Sequence, residues 1–190
     1  MEKIIIRNAT YSDIDGVLKL QKLNLLQNIP DNEKTSGFVT TPFTIVQIEK
    51  SIDLDGLFVA EENNNIIGYA FAASWEYFSQ WAIFPYMVSR FDLANYRFPI
   101  TAQNSFQYGP ICIDVNHRGS GLFQELFEYM RIEMQSRFPI GVTFINQINQ
   151  RSFLAHTNKL RMVVIDEFHY NGNDFYTLAF QTDESVLNKN

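Results

Sequence analysis

The run GLFVAEENNNIIGYAFAA, residues 56–73, sets the tightest limit on the fold. Two apolar segments flank three asparagines. Apolar runs of this length between turn residues read as strands, and asparagine tolerates the left-handed backbone of a tight reversal. The segment is a β-hairpin whose second strand ends near Trp75. The rest of the chain has to supply what covers it. KIIIRNA, residues 3–9, reads as a first strand. TYSDIDGVLKLQKLNLLQ follows with helical spacing at Ile14, Val17, Leu18, Leu20 and Leu25, with Thr10 or Ser12 as N-cap and Asp13 and Asp15 in the first turn. Residues 28–41 are polar, hold Pro30 and Gly37, and read as a loop. TIVQIEKSI is a short helix.

Beyond the hairpin, residues 76–103 are crowded with rings: Tyr77, Phe78, Trp81, Phe84, Tyr86, Phe91, Tyr96 and Phe98. SFQYGPICID is the next strand, and Gly109-Pro110 inside it marks a bulge or a break in pairing. A helix follows with an apolar stripe of Leu122, Leu126, Phe127, Tyr129, Met130 and Met134, stopped by Pro139. IGVTFIN is a strand, NQRSFLAHTNKL a short helix, and MVVIDEF with DFYTLAFQ a closing hairpin. This order predicts an α/β protein with a mixed sheet and helices on both faces. Residues 1–182 form one domain, with 76–103 as an insertion, and 183–190 are expected to fray.

Composition narrows the function. The chain has 190 residues, 46% hydrophobic and 19% charged, with a formal net charge of −6. A general nucleic-acid footprint needs a basic face, so no nucleic-acid partner is expected. No run is long enough to span a membrane, and the start of the chain lacks the apolar stretch of a signal peptide. A soluble, cytoplasmic protein is expected. The lone Cys112 sits among apolar neighbours and reads as an inert thiol. His117, His156 and His169 have no metal-ligand spacing, so no metal is expected.

The chemistry concentrates in NHRGSGLFQELFEYM, residues 116–130. A glycine-broken basic turn runs straight into an amphipathic helix. Such a turn leaves amides bare at a positive helix end, which suits phosphate. A dinucleotide fingerprint fails, because Gln124 stands at its third glycine. A triphosphate loop fails as well, because Leu122 and Phe123 supply neither lysine nor hydroxyl.

The element order, the opening IRNATYSDI, the hairpin FVAEENNNIIGYA, and RGSGL after a central strand resemble the GNAT acetyltransferase superfamily over nearly the whole chain. The resemblance implies a mostly antiparallel sheet of six to seven strands whose central strands splay apart. It implies acetyl-CoA as co-substrate and an amine, on a small molecule or a protein, as acceptor. Arg118, Gly119, Ser120, Gly121, Leu122 and Phe123 match the family's pyrophosphate cradle, with Phe123 where the motif has a small residue. The pantetheine arm would bond the strand edge at Ile111, Cys112 and Ile113. Pro110 cannot donate, so the amide polarising the thioester carbonyl comes from Ile111 or later.

On the later helix, Asn149, Ser152 and His156 lie at i, i+3 and i+7, on one face. Asn149 matches a position that contacts the cofactor arm. His156 aligns where many relatives carry a tyrosine acid, and an imidazolium of pKa roughly 6.5 is well matched to a thiol near about 8.5. Tyr108 is the other candidate acid, or a group that positions the amine; its bland reading is core packing. No carboxylate occupies the strand before the cradle until Asp114, so Glu76 at the end of the neighbouring strand is the candidate base. Its bland reading is a solvated surface residue. The implied reaction is direct acetyl transfer, and a non-catalytic acyl-CoA-binding module is the alternative. The aromatic insertion is read as an acceptor wall, as core, or as a homodimer contact.

Overall fold

The computed structural model describes residues 3–29 and 38–187. The strands are β1 (Ile5–Asn8), β2 (Leu57–Glu62), β3 (Asn65–Ala73), β4 (Ser105–Ile113), β5 (Ile140–Asn146), β6 (Val163–Tyr170) and β7 (Asn173–Gln181). They form one sheet in the order β1-β2-β3-β4-β5-β7-β6. Neighbours run antiparallel except β4 and β5, which are parallel. The helices are α1 (Ile14–Asn24), α2 (Ile45–Asp53), α3 (Trp75–Phe78), α4 (Ile83–Val88), α5 (Leu122–Gln135) and α6 (Gln150–Leu154), the last continuing as a π-helical turn over Ala155–Lys159. Of the loop expected over 28–41, residues 30–37 lie outside the described residues.

Strand alternation divides the core into two layers. Val59, Tyr69 and Phe71 face the layer of α1 and α2 with Ile14, Val17, Leu20 and Ile48. Phe58, Ala70, Ala72, Phe106 and Tyr108 face the layer of α5 with Leu122, Leu126, Phe127, Met130 and Met134. Each ring or branched chain fully buried here contributes about 1.5–3 kcal/mol. The hairpin reverses through Asn63 and Asn64 at φ 53° and 60°, the left-handed pair that its asparagines were expected to supply. Thr10 caps a 3-10 turn over Tyr11–Asp13 through a reciprocal box with Asp13, and α1 starts after it. Thr44 and Gln47 form a second box at α2.

The structure corrects one expectation and decides another among its alternatives. The segment 183–187 does not fray: Val186 is buried, and its N–H donates to Glu128 Oε2 at 3.1 Å. Glu128 in turn pairs with Arg131 at 2.7 Å inside α5, and Arg131 donates to the Thr182 carbonyl. A buried ion pair on α5 therefore ties this segment down; residues 188–190 lie outside the described residues. The aromatic segment is mostly core. Trp75, Tyr77, Phe78, Phe84, Met87 and Phe91 are buried in the α1–α2 layer. Trp81 packs against Phe43, Phe78 and Phe84, and Tyr86 against Phe168 and Tyr170. Pro85 sits in the first turn of α4, where a missing N–H costs nothing.

Candidate active site

The site begins where two strands part. β4 and β5 pair only at Ser105–Ile140, Phe106–Gly141 and Gln107–Val142. Past that point β5 stays with β7 as far as Asn146, and β4 stays with β3 as far as Ile113. Gly109, at φ 99°, and Pro110, which has no N–H, occupy the position of divergence, and the β3–β4 register slips by one residue there. The Asp114 N–H donates to Ile67 O at 2.8 Å. By alternation, the backbone groups of Cys112 point to β3 and those of Ile111 and Ile113 point into the gap. The Ile113 carbonyl accepts from Arg118 Nε at 3.2 Å, so the Ile111 and Ile113 N–H groups and the Ile111 carbonyl are the groups this edge turns to the gap.

At one end of the gap stands the turn before α5. Gly119 and Gly121 adopt φ of 86° and 100°, values that side chains strain to reach. Gly121 is the N-cap of α5, and the first closed helical bonds come from Gln124 and Glu125 to its carbonyl. The amides at 119–123 thus lie outside the helical ladder at its positive end. The turn is braced from three sides. Arg118 Nη2 donates to Asn24 Oδ1 at 2.8 Å, which ties it to the end of α1. Ser120 Oγ donates to His117 O at 2.7 Å. The His117 ring lies between Glu62, at 3.0 Å, and Asp114, at 3.2 Å. The Glu62 bond, helped by Asp114, holds the imidazole pKa above its ordinary value.

Two clefts open from the gap. The first is lined by Asn24, Ile111, Cys112, Ile113, Arg118, Gly119, Phe123, Arg151 and Lys159. The second is lined by Phe84, Gln107, Tyr108, Thr143, Phe144, Asn146 and Asn149. Both are also lined by Ile111, Ser152 and His156, so they meet at those residues. Three cations, Arg118, Arg151 and Lys159, gather on the first cleft of an otherwise acidic chain.

Asn149 caps α6, taking the Ser152 N–H on Oδ1 at 3.3 Å and donating to Phe38 O at 3.3 Å. His156 is 4% exposed. Its Nδ1 lies 2.7 Å from Ser152 O. A carbonyl only accepts, so Nδ1 carries the proton and Nε2 keeps the lone pair. The ring is walled by Tyr108 and by Phe123, at centroid distances of 5.7 and 5.3 Å. Burial pushes its pKa down to about 4, so His156 is neutral at pH 7. The imidazolium expected from the ordinary histidine value is therefore corrected: the imidazole offers an acceptor instead of a proton. Tyr108 is fully buried, and its Oη has no partner among the described residues. Burial holds its phenol well above the ordinary range, which keeps it a proton donor.

Other expected residues divide plainly. Glu76 lies on the exposed side of α3 and lines neither cleft, because Trp75, Tyr77 and Phe78 turn the opposite side of that short helix into the core. No carboxylate among the described residues lines either cleft. The Leu122 side chain is buried in the α5 layer, and its N–H donates to Ser120 Oγ at 3.4 Å. Cys112 lines the first cleft, and burial pushes its thiol up to about 12, an inert form. Of the aromatic segment, Trp81 and Tyr86 line neither cleft, and Phe84 lines the second. Asn24, Arg151, Lys159, Gln107 and Thr143 were not read from sequence. Arg151 and Lys159 flank His156 on one short helix, and that was a usable signal. Asn24 stands 94 positions from Arg118, and nothing in the sequence joins them.

No protein-family model matches the chain, and no curated protein matches it in sequence. Solved structures do match. An N-acetyltransferase from Staphylococcus aureus Mu50 superposes with TM-score 0.63 at 18% identity, covering 95% of this chain and 99% of that one. YncA from Salmonella typhimurium, solved with its cofactor acetyl-CoA, gives 0.62 at 17%, covering 96% and 95%. An acetyltransferase of the GNAT family from Streptococcus pneumoniae gives 0.62 at 14%, covering 94% and 99%. The chain shares the fold of these acetyltransferase structures over 94–96% of its length. No helix among the described residues is long and apolar enough to cross a membrane.

Proposed function

We propose that this chain is an N-acetyltransferase that moves an acetyl group from acetyl-CoA to a primary amine by direct transfer. The observation that carries the reading is the parting of β4 and β5 beside an amide-lined helix start, with three cations on the cleft along the β4 edge. The amides at 119–123, with Arg151 and Lys159, hold the phosphates. The edge at 111–113 takes the pantetheine arm as an added strand. The Ile111 N–H polarises the thioester carbonyl. The amine enters from the second cleft and forms the new C–N bond. His156 Nε2 accepts the proton that the nitrogen sheds, while Nδ1–H stays on Ser152. The C–S bond breaks as Tyr108 gives its proton to the leaving sulfur, and the proton taken up by His156 returns to the Tyr108 oxygen, so both side chains end as they began. Tyr108, the second candidate in sequence, thus becomes the acid, and His156 becomes the acceptor.

Saturating acetyl-CoA, at about 100 times its Kd, is expected to stabilise the fold by about 2.7 kcal/mol. Arg151 and Lys159 are exposed, so changing both to alanine leaves the unliganded melting temperature close to wild type. The same double variant is expected to weaken acetyl-CoA by about tenfold, or about 1.4 kcal/mol. Unchanged affinity overturns the phosphate assignment. A non-catalytic acyl-CoA-binding module is the second reading, favoured by the lack of a carboxylate in either cleft among the described residues. Thiol release from acetyl-CoA with a panel of amines separates the two: release supports transfer, and binding without release supports the module.

A further inference from the structure

The second cleft carries information about the acceptor. Gln107 is 1% exposed, its Nε2 donates to the Tyr108 carbonyl at 2.7 Å, and its Oε1 has no partner among the described residues. A buried amide oxygen without a partner is destabilising. It can only accept, so what relieves it must bring an N–H or O–H. Gln107 lines the second cleft and not the first. The same cleft has apolar walls in Phe84 and Phe144, whose rings meet edge to face at 5.5 Å. Its polar lining, Thr40 and Thr41 included, is neutral among the described residues, and the charges that line the adjoining cleft, Arg118, Arg151 and Lys159, are positive.

An ammonium moved from water into such a place finds no counter-ion and loses its hydration. The acceptor therefore enters as the free amine, and its basicity decides how much of it is available. At pH 7 an α-amine, with pKa about 7.7–8.0, is roughly a tenth or more unprotonated, whereas a lysine ε-amine near about 10.4 is below about a thousandth. Resting on the acetyltransferase reading, we infer that the acceptor is a weakly basic primary amine set beside an amide, the α-amine of a peptide, with Gln107 Oε1 receiving an N–H of the adjoining peptide unit. The aromatic walls then meet the first side chain.

The test measures thiol release by the full chain at pH 7 with alanyl-phenylalaninamide, with Nα-acetyl-lysinamide and with spermidine. The dipeptide amide is expected to exceed the ε-amine in kcat/KM by on the order of 10²-fold. Its kcat/KM is expected to rise tenfold per pH unit and level near about 8, while that of the ε-amine keeps rising toward about 10. Gln107→Leu is expected to raise KM for the dipeptide amide about tenfold, without raising it for 2,2-difluoroethylamine, which is weakly basic but has no amide. An ε-amine or polyamine used within about threefold of the dipeptide amide at pH 7 overturns the inference and leaves acetyl transfer standing. No thiol release from any of these amines, with acetyl-CoA still bound, overturns both. The wild-type pH profiles need no variant, so they decide the question even if Gln107→Leu does not fold.

Discussion

At the scale of single residues, the proposed transfer turns on one pair of rings. His156 and Tyr108 lie ring against ring at the meeting of the two clefts, and burial acts on them in opposite senses. It removes the proton from the imidazole and keeps it on the phenol. Tyr108→Phe is expected to lower kcat by about 10²-fold, the scale of one general acid, with acetyl-CoA affinity retained. The hydroxyl has no partner among the described residues, so its removal is expected to leave the melting temperature unchanged or raised. Thiol release and thermal melts on one sample read both effects, and full activity in the variant removes Tyr108 from the proton path. The position of His156 was legible from its spacing after Asn149 and Ser152. Its protonation state was not, because Phe123 and Tyr108 create the burial from two other elements, and local spacing carries no record of them.

At the scale of elements, the hairpin, α5 and its glycine turn were legible because each rests on local chemistry: asparagines at positive φ, a periodic apolar stripe, and glycines where side chains strain. The end of β4–β5 pairing was signalled only by Gly109-Pro110, since pairing partners 35 residues apart leave no mark on each other's sequence. The bracing of the glycine turn shows the same limit. His117 belongs to the turn, but Glu62, its first partner, closes the other strand of the hairpin. Glu62 and Asp114 raise the imidazole pKa in the folded state. A raised folded pKa means that this contribution to stability is complete below the unfolded value of about 6.5 and disappears as pH climbs through the folded value. Melts of wild type and His117→Gln are therefore expected to differ most near about pH 6 and to converge at higher pH. A gap that stays constant across that range shows that the imidazole charge does not brace the turn.

At the scale of the whole molecule, the sheet order follows from which faces had to be covered, and the aromatic segment is where a sequence reading loses its hold. Composition cannot tell rings that line a cleft from rings that fill a layer, since both are apolar and both are dense. The three-dimensional answer is that the segment closes the α1–α2 layer beside the second cleft, with Phe43 and Phe71 stacked at 4.1 Å below it and Phe84 reaching the cleft wall. Trp81 and Phe84 touch at 6.1 Å, yet their neighbours assign them different work. Trp81 is surrounded by Phe43, Tyr77 and Phe78 and is half-buried, so Trp81→Ala removes packing. The loss is expected to be about 3 kcal/mol, the lower end of the range for a buried tryptophan, which lowers the melting temperature by roughly 6–12 °C. Phe84 has Phe144 on one side and the cleft on the other, so Phe84→Leu keeps most of the apolar volume and changes the wall. That variant is expected to raise the acceptor KM several-fold, while its melting temperature falls less than that of Trp81→Ala. Acceptor KM measured well below either melting temperature is the deciding quantity. A raised KM in Trp81→Ala with Phe84→Leu unaffected reverses the assignment and puts the acceptor against the outer rings of the segment instead of the gap between β4 and β5.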